Sequence, residues 1–334
     1  MKSTIRSIVA ILILFNILFS AYPQEMPRIR HADKVRIQEA IQIAEIYADS
    51  VWQGFSETPF TIILITDNHE FLINHPFPSD DFKSLGQDDV LNTEVHVRPQ
   101  QFNKRFLATF PAVNGVNCVV IGTPENTGLH STQWIITLLH EHFHQYQYNS
   151  PNYHQDALSL ELSGGDETGM WQLNYPFPYA DTAVTSAYES YTQQLKLTVE
   201  NLSDANWDKL YQTLQERRNK FKATLSEKDY KYIAFQWYQE GIARYTEYAF
   251  LELLQNYQSS EEVIALADFI SYRDYLKDFY TKHLSNVINM SLSEMKRFTV
   301  YDVGFAEALI IRKKNPHWHR RYLTDKFDLE MLHK

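Results

Sequence analysis

The chain has 334 residues, 44% hydrophobic and 22% charged, enough apolar side chain to bury a core, so disordered, collagen-like and low-complexity classes drop out. A net charge of −10 argues against a nucleic-acid partner, which needs clustered Lys and Arg; the one basic run, Arg312-Lys313-Lys314, ends a predicted helix. Ten glycines against 21 tyrosines and 20 phenylalanines point to a helix-rich fold.

At the N-terminus, Lys2 and Arg6 precede an apolar run over residues 8–19, closed by Ser20-Ala21-Tyr22-Pro23. A basic start, about 12 apolar residues and small residues before a proline predict a signal peptide over residues 1–21 and a secreted or periplasmic mature chain. The run is short of the about 20 residues of a membrane span, with an uncleaved anchor as the other reading. No later stretch predicts membrane contact once the signal is removed. Cys118 is the only cysteine, so no internal disulfide is expected, and its setting in Asn117-Cys118-Val119-Val120-Ile121 reads as a buried strand.

Apolar residues at helical spacing predict a first helix over 32–52. Residues 60–65, 94–98, 106–110 and 117–121 read as strands, with Pro111 and Asn114-Gly115 as turn chemistry between the last two. Beyond Gly122 the patterns are helical: 132–148, then 182–201, 205–221, 230–255, 263–284 and 303–314. Between the first two of these, residues 163–179 hold Gly164, Gly165 and Gly169, an irregular segment that reads either as a mobile cap or as a plain connection. The layout is a mixed α/β lobe over 22–130, then a helical lobe over 131–334, together one unit of α+β class.

The chemistry is carried by His140-Glu141-His142-Phe143-His144. On a helix, His140 and His144 fall on one face a turn apart, so both imidazoles can meet one metal ion. Glu141 lies beside that face, placed to take a proton from a water on the metal as general base. His142 points the other way. Trp134, Ile135, Ile136, Leu138 and Leu139 make this a buried helix, where unpartnered imidazoles and a carboxylate would be costly. Two histidines need a third ligand, and no further histidine follows closely. Two glutamates on later helices compete. Glu240 precedes Gly241, whose mid-helix position predicts close helix packing, here against the histidine helix. Glu189 lies nearer in sequence, in Ala187-Tyr188-Glu189-Ser190-Tyr191.

With these residues in place, the chain resembles the gluzincins, zinc metallopeptidases in which His-Glu-x-x-His is completed by a downstream glutamate. Trp237-Tyr238-Gln239-Glu240-Gly241-Ile242-Ala243-Arg244-Tyr245-Thr246-Glu247 is similar to the Glu-Gly-x-Ala-x-Tyr-x-Glu segment of the aminopeptidase N relatives. The interval from His144 to Glu240 is much longer than in those enzymes. The resemblance implies a zincin-like fold with a small mixed sheet and one Zn2+ per chain on His140, His144 and Glu240. It also implies a peptide or protein substrate whose bond is attacked by a zinc-bound water with Glu141 as base. Tyr245, five residues beyond Glu240, is the candidate donor to the developing oxyanion. An extended substrate would pair with the strand nearest the cleft, 106–110 or 117–121. The alternative is an exported zinc-containing binding protein without hydrolytic activity. Oligomeric state leaves no mark in the sequence.

Overall fold

The structure, a computed structural model, describes residues 26–334; the signal-type segment 1–21 lies outside them. Helix α1 spans His31–Val51 and is followed by six strands: β1 Ile62–Ile65, β2 His69–Ile73, β3 Lys83–Asp88, β4 Thr93–Pro99, β5 Leu107–Val113 and β6 Val116–Gly122. They form one sheet in the order β3-β4-β2-β1-β6-β5, in which only β1 and β6 run parallel. The longer helices are α2 Ser131–Tyr148, α3 Thr182–Glu200, α4 Trp207–Ala223, α5 Glu227–Gln236, α6 Ile242–Leu253, α7 Tyr272–Asn289 and α8 Thr299–Lys314, with a π-helical turn at Trp237–Gly241 joining α5 to α6. The class is mixed α+β. Among the described residues no helix is long and apolar enough to cross a membrane.

Alternation along the strands divides the core. Ile62, Leu64, Phe71, Ile73, Val119 and Ile121 face the helices, while Ile63, Ile65, Leu72, Cys118 and Val120 form a smaller cluster on the other face with Phe82 and Val113. Burial pushes the Cys118 thiol up to about 12, so it stays protonated and packs as a small hydrophobe.

Several elements differ from the expectation. Strands β2 and β3 have no counterpart in the sequence reading: β2 follows a tight turn after β1, and β3 is an exposed edge strand with no apolar alternation to reveal it. Strand β5 runs through Pro111 instead of ending there, which an edge strand tolerates because its outer N–H needs no partner. The predicted helix 263–284 is broken between Glu261–Ile264 and α7. The segment 163–179 is tied down where it meets α5: Tyr175 stacks on Tyr232 at 4.3 Å, and Tyr232 Oη and Gln236 Nε2 both donate to the Gln172 carbonyl.

Helix α2 runs back along β6. Near its start Trp134 Nε1 donates to the Gly122 carbonyl at 2.8 Å, and near its end Gln145 Nε2 donates to the carbonyls of Thr61 (2.9 Å) and Asn117 (2.8 Å). These bonds fix both the axial position and the rotation of the helix. Gly241 does have a packing reason, but its neighbour is α8 and not the histidine helix. A Cβ on Gly241 would lie 2.4 Å from Gly304 Cα, and one on Gly304 would lie 2.7 Å from the Trp237 carbonyl oxygen. The two backbones touch, so Gly304→Ala must push α8 off the π-helical turn. It should lower the unfolding free energy by about 3 kcal/mol, the upper part of the overpacking range, measured by urea unfolding.

Further along α8, Glu307 is buried against Arg218 Nη1 (3.4 Å), His333 Nε2 (3.2 Å) and the Tyr191 hydroxyl, which ties the C-terminal tail to the helical lobe. Burial alone would raise its carboxyl, but Arg218 and His333 reverse that and hold it down at about 2. An unfolded glutamate titrates near ~4.3, so this folded-state value is depressed. The stability it contributes is complete above about pH 5 and is lost as pH falls through about 2. The stability gap between wild type and Glu307→Gln should therefore narrow as urea unfolding is repeated from about pH 5 down to about pH 2.

Candidate metal centre

Helix α2 is buried on almost every side, and His140, Glu141 and His144 are buried with it. The imidazole Nε2 atoms of His140 and His144 face each other at 3.2 Å. Glu240, delivered by the π-helical turn, brings Oε2 to 3.8 Å from His140 Nε2 and 3.4 Å from His144 Nε2. Glu141 is within reach too: its carboxylate and the two imidazoles have ligand atoms within 4.8 Å of one another. Its side chain is restrained by the Thr109 hydroxyl of β5, which lies 2.9 Å from Oε2 and 2.8 Å from the Glu141 carbonyl.

The outer nitrogens of the imidazoles are committed elsewhere. His140 Nδ1 meets Glu247 Oε1 at 2.6 Å, and Glu247 Oε2 accepts from Arg244 Nη1 at 2.8 Å. His144 Nδ1 meets Gln147 Oε1 at 2.6 Å, and the Gln147 amide donates to the Gln239 carbonyl at 3.1 Å. Glu247 favours the His140 tautomer protonated at Nδ1, whereas His144 Nδ1 lies between an acceptor, Gln147 Oε1, and a donor, Gln239 Nε2 at 3.0 Å. The two Nε2 atoms at 3.2 Å repel unless a proton or a metal ion lies between them. In the metal-free chain a proton can take that role. Burial alone would lower His140, but Glu240 and Glu247 outweigh it and raise the imidazole to about 9. Burial likewise opposes the Glu240 charge, yet the two imidazoles and Arg297 hold its carboxyl well below the usual range.

A zinc ion fits the same slot. With Zn–N and Zn–O bonds of about 2.1 Å and tetrahedral angles, neighbouring ligand atoms stand about 3.4 Å apart. The donor set is two neutral imidazoles and one carboxylate, a set that leaves one position of a tetrahedron open.

Glu189 does not join this site. On α3 the buried residues are Val184, Tyr188, Tyr191 and Leu195, and Glu189, one residue past that stripe, is exposed. Tyr245 is also placed elsewhere. It lies about 140° round the helix from Glu240, and its ring packs at 5.5 Å from Trp318 and 6.4 Å from Trp52. The phenols nearest the imidazoles are Tyr301, 6.1 Å from the His140 ring, and Tyr148, 6.0 Å from the His144 ring. Burial first, then the Glu240 charge, raises both hydroxyls, so they remain donors. His142, on the far side of α2, stacks on Phe60 at 3.8 Å, and burial lowers it to about 4.

Glu247 and Gln147 were legible in principle: Glu247 stands seven residues past Glu240, two helical turns on, and Gln147 three past His144. Tyr148, four past His144, shares its face in the same way. Nothing local singles out Tyr301, Arg297 or Thr109, which tertiary packing alone brings in. Comparison with protein-family profiles, with curated proteins and with solved structures finds no match to this chain.

Because Glu247 orients His140 without reaching the slot, Glu247→Gln should keep the fold but weaken zinc binding by roughly 10-fold to 100-fold, measured by competition with a chromophoric chelator.

Proposed function

We propose that this chain is a zinc-dependent metallopeptidase of gluzincin type, with His140, His144 and Glu240 as the ligands of one zinc ion and Glu141 as the general base. The observation that carries the reading is the convergence of His140 Nε2, His144 Nε2 and Glu240 Oε2 at 3.2–3.8 Å in a buried slot. Zinc held there supplies Lewis acidity toward water and a carbonyl oxygen. Glu141 Oε2 is occupied by Thr109, so Oε1 is the atom that takes a proton from the attacking water and returns it to the leaving amine. Tyr301 and Tyr148, whose rings flank the two imidazoles, replace Tyr245 as the candidate donors to the oxygen that gains charge.

A zincin-like architecture is supported by the placing of β5. It is the antiparallel edge strand beside α2, and through Thr109 it touches the base. An extended peptide can add to its outer edge, whereas β6, paired on both sides, has no edge to offer. That peptides are the substrate rests on the gluzincin resemblance, and action outside the cytoplasm rests on the pattern of residues 1–21.

Elemental analysis of the dialysed protein should find about one zinc per chain. Glu240→Ala should lose most of it and Glu189→Ala none. Glu141→Gln should retain zinc and lose peptide hydrolysis by at least about 100-fold. Zinc without any Glu141-dependent hydrolysis would favour the binding-protein alternative, and a chain that takes up no zinc would end the metal reading.

A further inference from the structure

Arg297 stands at the mouth of the slot, two residues before α8, with its side chain only 19% exposed. A guanidinium so far out of water ordinarily has close anionic partners. Arg98, Arg244 and Arg312 each meet a carboxylate at 2.8 Å or less, and the fully buried Arg218 meets Glu307 at 3.4 Å. Arg297 has only long contacts through Nη1, at 3.4 Å to Glu240 Oε1 and 3.4 Å to the Tyr301 hydroxyl. Its Nε and Nη2, the side-on pair that matches the two oxygens of a carboxylate, have no protein partner among the described residues and remain within reach of solvent, and so of an incoming ligand. The groups around it, Tyr301, Tyr232 and Tyr179, are neutral phenols whose hydroxyls burial raises. Lys296, the residue before it, is held at φ 49°, ψ −128°, a strained backbone for a residue with a side chain. Such strain recurs where a neighbouring group must be aimed.

We infer that Arg297 sets substrate specificity by receiving a carboxylate that the substrate carries beside the bond to be cleaved, an inference that rests on the peptidase reading above. A metal held by Glu240 would draw its charge away from Arg297, and an incoming carboxylate would then be the strong partner of the guanidinium. Two sources share this chemistry, a chain's C-terminal carboxylate and an Asp or Glu side chain.

The test uses three dipeptides capped with a zinc-binding hydroxamate: one with a free C-terminal carboxylate, its C-terminal amide, and the amide with Asp as last residue. Affinities for the zinc-loaded wild type, Arg297→Gln and Arg297→Lys are measured by calorimetry, with zinc content determined alongside. The free acid should bind wild type roughly 10-fold to 100-fold more tightly than the amide. Arg297→Gln should erase that preference at unchanged zinc content, and Arg297→Lys should keep part of it. A preference recovered by the Asp amide assigns the carboxylate to a side chain; its absence assigns it to the chain terminus. Equal affinity of wild type for all three probes overturns the assignment while leaving the zinc reading intact. Loss of zinc and of all three affinities together in Arg297→Gln also overturns it, since Arg297 would then only position Glu240. If no probe binds and wild type holds no zinc, the peptidase reading fails and this inference with it.

Discussion

Two imidazole nitrogens facing each other at 3.2 Å inside a protein need a proton or a metal ion between them. Much of the surrounding structure serves that one constraint. Glu240 closes the slot on a third side, Glu247 and Gln147 hold the rings from behind, and Arg244 neutralises Glu247. Behind these, His283 Nδ1 and Asp302 Oδ1 meet at 2.6 Å between α7 and α8. Charges removed from water in this way are tolerated because each has a partner of opposite sign or a directed hydrogen bond.

Bringing Glu240 there is a problem of backbone geometry. The π-helical turn at Trp237–Gly241 widens the helix by one residue, so that Gln239 and Glu240 both reach toward α2. The turn is backed by α8, and the facing pair Gly241 and Gly304 lets the two backbones touch. Helix α8 in turn carries Tyr301 over His140, so the same close approach sets both a candidate ligand and a candidate proton donor. On the other side, the sheet fixes α2 through its backbone carbonyls and lends Thr109 from the edge strand to Glu141. The site thus lies where the sheet and the helical lobe meet, with α2 common to both.

Residues whose role depends on spacing within one helix were readable from the chain. His140, Glu141 and His144 share a helix whose apolar residues announce its burial, and Gly241 announced a close contact. Glu240 was readable only as one of two candidates, because a carboxylate beside small residues looks alike on a buried face and on an exposed one. The exposure of Glu189 on α3 separated them. Tyr245 failed as a donor because a helix turns about 100° per residue, and five steps from Glu240 lead to the Trp52 and Trp318 side.

The sequence by itself determined the α+β class, the buried histidine helix and the residue types able to hold a metal, because helical periodicity and local spacing are short-range properties of the chain. Only the tertiary structure decided which glutamate meets the imidazoles, that Tyr301 flanks them, and that Arg297 stands without a close carboxylate at their edge. Arg297 and Tyr301 lie 57 and 61 positions from Glu240 and 157 and 161 from His140, and no local pattern encodes a meeting of side chains that depends on the packing of α2, α6 and α8.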